Sequence, residues 1–467
     1  MADSSNLKQS PDWYIARVDR LPTWGLSYAL IWAMGFSFFI TLYDVINVGF
    51  ALPYIPFVIT AGQASLIASL GLWGYVVGAP IFSYMADLVG RRPTLIFTAL
   101  LTALGSFGDA FSVNYPMLAG FRFITGMAIG ADLVLVMTYM AEMSPASKRG
   151  QYTNLAFIGG WAGIGIGPFI AALIVTSIPS IGWRIVFVVG GILAALALAI
   201  RAYAPETVRF LAVKGKFNEV DNLVTSMEST SMKRAGVSQL PEPNMKTYNV
   251  PKENPFRTLA KPKYLKRLIV LFLLMFWIYF MDYPFLVLPE TWVKDILGYS
   301  GSLFSSAVFY FGLAGIGAFL GAILLRFIID RFDRRYMTVF GVVVYTIGTA
   351  IMAIGGVARS IPTFFIGAFI AELVGVGWYN IYYLLCSENF PTSARATGYA
   401  IADGVGHAGG AIGLLAIFPL IPLLGNVGAW TLPWIPAIVM AILTVFTLPK
   451  TIKVRLEEIN EATDAHG

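Results

Sequence analysis

The chain has 467 residues, 57% of them hydrophobic and only 12% charged, and its mean hydropathy is +0.72. Soluble domains carry about 25% charged residues, so the composition excludes an ordinary soluble domain and makes lipid the solvent for most of the chain. The net charge of +6 raises the question of a nucleic-acid partner, which the one-sided placement of the basic residues excludes.

Residues 1–24 are polar and contain Asp3, Asp12 and Asp19, with no cleavable signal, so the first apolar run is a retained span. Twelve apolar runs are long enough to cross a bilayer as helices: 25–55, 63–86, 93–112, 116–140, 153–177, 183–204, 267–289, 302–329, 336–357, 361–386, 397–423 and 428–449. The expectation is an all-α integral membrane protein with an N-terminal bundle at 25–204 and a C-terminal bundle at 267–449. The polar segment 205–266 joins them as a tether, with a short surface helix from Phe217 to Met227 and an extended, proline-bearing remainder. Residues 450–467 form a tail. The single cysteine, Cys386, excludes an internal disulfide.

With the N-terminus in the cytoplasm, one side collects Arg17, Arg20, Arg91, Arg92, Lys148, Arg149, the central segment, Arg331, Arg334, Arg335, Arg395, Lys450, Lys453 and Arg455. The other side holds only Arg184, Lys294 and Arg359. This asymmetry places both termini in the cytoplasm of a cell-membrane protein.

Two loop motifs occur twice. Asp87, Gly90, Arg91 and Arg92 are followed by Glu142, Pro145 and Arg149; Asp330, Arg334 and Arg335 are followed by Glu388, Pro391 and Arg395. The offsets are 243 residues between the aspartates and 246 between the glutamates. Duplicated halves in a membrane protein point to a transporter whose substrate lies between them. The motif charges fall at helix ends on one side, where Asp87, Arg91, Arg92, Glu142, Arg149, Asp330, Arg334, Arg335, Glu388 and Arg395 can latch the halves together and release them. Glycines crowd the fifth run (Gly159, Gly160, Gly163, Gly165, Gly167) and the eleventh (Gly404, Gly406, Gly409, Gly410, Gly413). Small residues permit close helix approach, and these two stripes are expected to form the sliding contact between halves.

Charges within spans are costly, so each is a functional candidate. Asp44 lies about 13 Å along its helix from Pro53, and Arg122 about 9 Å from Pro116, which puts both at similar depth. Burial favours the neutral acid and a nearby guanidinium favours the carboxylate; Asp44 is therefore expected to carry the transported proton, with Arg122 switching it. A permanent structural pair is the alternative. Asp132, about 15 Å further along the helix of Arg122, is a second proton site or a satisfied structural acid. Glu372 has no basic neighbour in its span. Asp403 and His407 are four residues apart, on one helical face, where a carboxylate would favour the charged imidazole. Asn154, Trp161, Tyr283, Trp378, Asn380 and Tyr383 are the aromatic and amide candidates for substrate contact, along with Glu372, Asp403 and His407. With two histidines, one of them His466 in the tail, no metal set forms. No nucleotide loop or nucleophile–base pair is present, so neither a cofactor nor an enzyme activity is expected.

These motifs resemble the major facilitator superfamily over essentially the whole chain. The stretch from Ser83 through Asp87, Gly90, Arg91 and Arg92 is similar to that family's loop between helices two and three, with Ser83 for a glycine. Arg122, Gly126 and Gly130 repeat a fourth-helix pattern, and the Pro205, Glu206, Arg209, Leu211 segment looks like that of sugar porters and metabolite symporters. The resemblance implies twelve helices in two pseudo-symmetric bundles, alternating access, a small-molecule substrate and a monomer. The first run, from Asp44 to Pro53, is similar to that of proton-coupled organic-acid symporters, which often have a second acid where this chain has Thr41. Asp132 resembles an aspartate of phosphate and organic-solute symporters. The sugar porters' amide pattern is absent around Asp282, and Tyr379, Asn380 and Tyr383 stand in place of their tenth-helix pattern. The implied function is proton-coupled symport of a small organic acid or sugar-like solute. A proton-linked exporter or uniporter is the alternative within transport, and a non-transporting receptor, disfavoured by the short tail, the alternative outside it. At the 246-residue offset Arg122 falls opposite Ala368, Gly126 opposite Glu372, Asp132 opposite Trp378 and Trp161 opposite His407, so repeated charges suit the gate and unrepeated ones coupling and recognition.

Overall fold

A computed structural model describes residues 10–58, 60–244, 254–288, 297–298, 302–391, 393–454 and 456–461. Asp3, Lys294, Arg455, His466 and linker residues 245–253 lie outside them. Among the described residues eleven helices are long and apolar enough to cross a membrane. With Ser302–Leu325, whose segment Leu313–Leu325 is a shorter apolar helix, they give twelve elements in the expected order. These are α1 (Tyr28–Ala51), α2 (Ala61–Val89), α3 (Arg91–Ala110), α4 (Tyr115–Met143), α5 (Arg149–Ser177), α6 (Gly182–Arg201), α7 (Pro262–Val287), α8 (Ser302–Leu325), α9 (Arg334–Val357), α10 (Ile361–Glu388), α11 (Arg395–Ile417) and α12 (Val427–Thr447).

The helix interiors are mostly apolar, and the ends carry the capping signals. Thr60 and Gln63 form a capping box at the start of α2, and Asn114 caps α4 through the Met117 N–H. Within the first half α2 packs on α4 and α1 on α5; across the halves α5 meets α8 and α2 meets α11. Gly126 shows why the α2–α4 contact needs glycine. A methyl group there would lie 1.9 Å from the carbonyl oxygen of Gly71, closer than any packing allows. Gly126→Ala is expected to force the two helices apart and to destabilise by about 1–3 kcal/mol, read as a lowered melting temperature in detergent.

The glycine stripes divide differently from expectation. Gly159, Gly160 and Gly163 face α1 of their own half, at Gly35, Phe38 and Phe39, and Gly406, Gly409 and Gly413 face Met275, Phe276 and Phe280 of α7. The inter-half approaches are those of Gly165 to Gly315, of Gly404 to Ala79 and of Gly410 to Leu72. Most of each stripe therefore fixes a helix within its half.

The polar segment is more structured than a tether. Its helix runs Phe217–Ala235, with Val220, Val224 and Met227 buried on one face, and stops at Gly236 in the left-handed region (φ 66°). It packs on a helix at Pro11–Asp19, where Arg17 meets Glu228 at 2.7 Å and Asp221 at 2.6 Å, and Arg20 meets Glu228 at 2.5 Å. Burial opposes the charge on Glu228, but the two guanidiniums hold its carboxyl below the usual range.

Two spans are not regular α-helix. α10 contains a π-helical turn at Ala371–Val376, and α11 one at Ala400–Gly404 followed by a 3₁₀ turn at Val405–His407. Such turns add a residue to the local winding and re-aim side chains, and they recur at functional positions. Glu372 and Asp403 each sit in one.

Candidate functional site

At the end of the molecule bearing the basic loops, the duplicated motifs exchange partners between halves. Glu142, fully buried, lies 3.0 Å from Arg91 of its own half and 3.5 Å from Arg395 of the other. Glu388, also fully buried, lies 3.5 Å from Arg334 of its own half and 3.3 Å from Arg149 of the other. The aspartates repeat the exchange. Asp87 accepts from the Thr397 backbone N–H at 3.2 Å and hydroxyl at 2.8 Å, while Asp330 accepts from the Gln151 N–H at 2.9 Å. Each carboxylate thus meets the first turn of the other half's helix, where unpaired N–H groups favour an anion. Burial pushes the Asp330 carboxyl above its ordinary range, opposed by Arg334 and the Gln151 N–H.

Arg92 and Arg335 do not join this exchange. Arg92 donates to the Ala202 carbonyl and Arg335 to Asp333 and the carbonyls of Val445 and Leu448, all within their own halves. Successive helical residues point about 100° apart, so one arginine of each doublet faces the glutamate shared between the halves and the other faces away.

The Pro205–Leu211 segment completes the first-half network. Glu206 accepts from the backbone N–H groups of Arg91 and Arg92, both at 3.1 Å, and Thr207 donates its hydroxyl to Glu142 at 2.7 Å. Gly90, at φ 119°, leaves room for that carboxylate, since a methyl group there would lie 2.3 Å from Glu206 Oε2.

In the part of the first half away from the basic end, α1, α3 and α4 converge on three charges. Arg122 donates from Nη2 to Asp44 Oδ2 at 3.0 Å and from Nε to Asp109 Oδ2 at 2.7 Å, with a further Nη2 contact to Asp109. Thr125 donates to Asp109 at 3.2 Å and Ser106 to Asp44 at 3.4 Å; the Phe187 ring lies 5.0 Å from the guanidinium. Asp44 and Arg122 also line a narrow cavity of about 20 Å³, room for roughly one water, with Val48, Leu72, Tyr75 and Val287 around it. Two carboxylates share one guanidinium here, so the unprotonated set has one negative charge in excess.

Asp132 stands apart from that triad. Arg201 binds it at 2.5 and 2.6 Å, Thr98 donates to it at 3.0 Å and Thr41 at 3.4 Å, while Arg201 is further held by the Leu95 carbonyl and Ser37. Asp132 is thus held in a buried ion pair with Arg201.

At the centre, aromatic side chains of both halves meet. The imidazole of His407 lies between Tyr75 of α2, centroids 3.7 Å apart, and Tyr279 of α7, 3.9 Å apart. Its Nδ1 is 2.8 Å from the Asp403 backbone carbonyl. The expected imidazole–carboxylate pair is therefore not formed, because the π and 3₁₀ turns re-aim the two side chains. The Asp403 carboxylate instead accepts from Tyr279 at 2.5 Å and Tyr75 at 3.4 Å. Tyr283 packs at 5.5 Å from His407, and Tyr383 accepts from the Tyr279 hydroxyl at 3.5 Å. Trp161 packs on Phe38, Phe157 and Tyr379, and among the described residues its indole N–H has no hydrogen-bond partner. Asn380 donates to Asn154 at 3.1 Å and Asn154 to the Ala322 carbonyl at 2.8 Å, an amide link between halves. Trp378 is excluded from this group: it is half-buried against Phe340, a largely exposed residue of α9, on the outer side of the bundle.

The sequence pattern of the Major Facilitator Superfamily matches residues 34–414. The chain belongs to this superfamily. Among its relatives are the niacin transporter NiaP of Acinetobacter baylyi, 28% identical over 401 residues with 85% of this chain and 88% of that protein covered, and the 4-hydroxybenzoate transporter PcaK of the same organism, 29% identical over 376 residues with 79% of each covered. The fold is similar to that of the E. coli proton:xylose symporter XylE, with a TM-score of 0.76 over 92% of this chain and 98% of that one at 18% identity. The protein is thus a multi-pass membrane transporter of a small organic solute and not an enzyme.

Among the charged residues in the spans that were not singled out from the sequence as site candidates are Asp109, Arg201 and Asp282. The rule that a charge inside a span is a candidate would have found all three. Asp109 and Arg201 sit within a turn or so of their helix ends, where a charge reads as interfacial.

Proposed function

We propose that the protein is a proton-coupled symporter of small aromatic carboxylates, working by rocking of the halves 25–204 and 267–449 about the central aromatic cluster. The observation that carries this reading is the placement of His407 between Tyr75 and Tyr279. Two phenol rings from opposite halves hold a planar heteroaromatic ring at stacking distance, which is the geometry a substrate ring requires. Tyr75 also lines the cavity that contains Arg122, so a ring near Tyr75 would direct its carboxylate toward a guanidinium. That niacin and 4-hydroxybenzoate, both aromatic acids, name the substrates of two relatives supports the same class.

Coupling follows from the charge balance. While Asp44 is ionised it occupies one side of Arg122; a proton on Asp44 releases that side of the guanidinium to a substrate carboxylate. Proton and anion then bind together, and the loaded triad has the same net charge as the empty one. Departure of the substrate toward the cytoplasm lets Asp44 lose its proton and pair again. The basic end is the cytoplasmic one, with both termini there, and the exchanged Glu142 and Glu388 networks hold it closed. Asp132 with Arg201 fixes α4 against α6, and the protein acts as a monomer.

Quenching of tryptophan fluorescence in purified protein tests the substrate class, with nicotinate, 4-hydroxybenzoate, cyclohexanecarboxylate and xylose as probes. The aromatic acids are expected to bind about 5–10-fold more tightly than the cyclohexane acid, the size of one or two stacking contacts, with that difference lost in Tyr75→Ala. Equal binding of the aromatic and alicyclic acids, or binding of xylose alone, would contradict the proposal.

A further inference from the structure

The second half repeats the three-helix arrangement of the triad with different chemistry. In the first half its first, third and fourth helices supply Asp44, Asp109 and Arg122. In the second half the corresponding helices α7, α9 and α10 supply Asp282, Tyr345 and Glu372. An acid therefore stands on the fourth helix of this half, one turn beyond Ala368, the residue opposite the first half's base.

Asp282 is buried and accepts from the Tyr345 hydroxyl; the Tyr379 phenol faces the same carboxylate. Glu372 is fully buried, and among the described residues neither of its oxygens has a hydrogen-bond partner. The charged group that acts on it is Asp282. Glu372 lines a small cavity walled by α1 and α5 of the first half, at Ile46, Phe50, Ile164 and Pro168, and by Phe285 of α7 and Gly315 of α8. It therefore lies on the seam that separates when the halves rock.

Among the described residues no ion pair brings a cation to these acids. The lining residues from α1, α5 and α8 are uncharged, and residues 302–325 of α8 contain no acidic or basic side chain. On α1 the charged residue is Asp44, which already holds Arg122. The basic residues of α7, α9 and α10 — Lys263, Lys266, Arg267, Arg334 and Arg335 — all sit at the basic end. α12 contributes Trp434, packed edge-to-face on Tyr345. Two ionised carboxylates in this setting would have the phenols of Tyr345 and Tyr379 at Asp282 and no cation among the described residues, a state that burial strongly disfavours.

We infer that Glu372 and Asp282 form a second proton-binding site, distinct from the Asp44–Arg122–Asp109 triad, which holds at least one proton while the halves are closed and exchanges it when the seam at α1 and α5 opens. The inference extends the proton-coupled reading, but its test records proton occupancy without transport, so either can fail alone.

Infrared difference spectroscopy of the purified full-length protein at pH 7, in water and in deuterium oxide, reads protonated carboxyls through their isotope-sensitive C=O stretch. Glu372→Gln is expected to lose one carboxyl equivalent of that band, whereas Asp44→Asn leaves the lost component in place. Tyr345→Phe, which alters no charge, is expected to shift the band by removing the donor to Asp282, and it serves if Glu372→Gln is not monodisperse. An unchanged band in Glu372→Gln, or in Tyr345→Phe where that variant serves, overturns the inference. So does loss of the wild-type band on adding sodium at fixed pH, which would make the site one for a metal cation.

Discussion

Arg122→Ala is expected to abolish gradient-driven uptake and to destabilise the folded protein by about 3–5 kcal/mol, the range for removing one member of a buried ion pair. The guanidinium is the only partner that neutralises charge on Asp44 and Asp109 among their hydrogen bonds; the others come from the hydroxyls of Ser106 and Thr125. Without it two carboxylates face each other in a low dielectric, and both must take protons for the half to remain packed. A second change separates the structural loss from the functional one. Asp109→Asn in the Arg122→Ala background removes one of the two stranded acids and should recover part of the melting temperature while uptake stays absent. Melting in detergent and uptake into proteoliposomes read the two effects independently. Full uptake by a folded Arg122→Ala protein would remove the triad from the mechanism.

Glu142→Gln is expected to open the basic end. The carboxylate has three partners in three segments, Arg91, Arg395 and Thr207, and it is the point where the first half's network meets the second half's arginine. An amide of the same shape keeps the packing but leaves two buried guanidiniums without their shared anion. Each 1.4 kcal/mol lost from the closed state moves the open-to-closed ratio about tenfold, and one buried charged contact is worth more than that. Spin labels at Arg92 and Tyr336, which are exposed at the starts of α3 and α9, report the separation in a Cys386→Ser background. A longer-distance population should grow in Glu142→Gln, and in Glu388→Gln by the pseudo-symmetry of the exchange. An unchanged distance distribution would show that the exchanged pairs do not hold the end closed.

The architecture was legible because lipid imposes a length rule and the duplication imposes a register. Twelve apolar runs gave the helices within a few residues at most ends, and the two motif offsets aligned Asp87 with Asp330, Arg91 with Arg334, Glu142 with Glu388 and Arg149 with Arg395. The structure places those four pairs in matching environments. Asp44 and Arg122 were matched by depth along their helices, and the structure brings them to 3.0 Å. Less was legible where direction matters. Trp378 and Trp161 read alike as aromatics in a span, yet one faces outward and the other the centre, because a helix that is apolar all round gives no sign of its inner face. Asp132 could not be matched to Arg201, 69 residues away, since nothing local links them. The π turns at Glu372 and Asp403 left no pattern in composition, and they decide where those side chains and His407 point.

The central claim is that proton movement drives accumulation of an aromatic acid. Uptake of radiolabelled 4-hydroxybenzoate and nicotinate into proteoliposomes with an imposed inward pH gradient tests it most directly, with wild-type and Asp44→Asn protein compared. Wild-type vesicles are expected to accumulate at least one of the two acids above equilibrium and to lose it on adding a protonophore. Asp44→Asn vesicles should fall at least about tenfold below wild type, the effect of about 1.4 kcal/mol in coupling. Accumulation indifferent to both the protonophore and the Asp44 substitution, or accumulation of xylose while neither acid enters, would contradict the account.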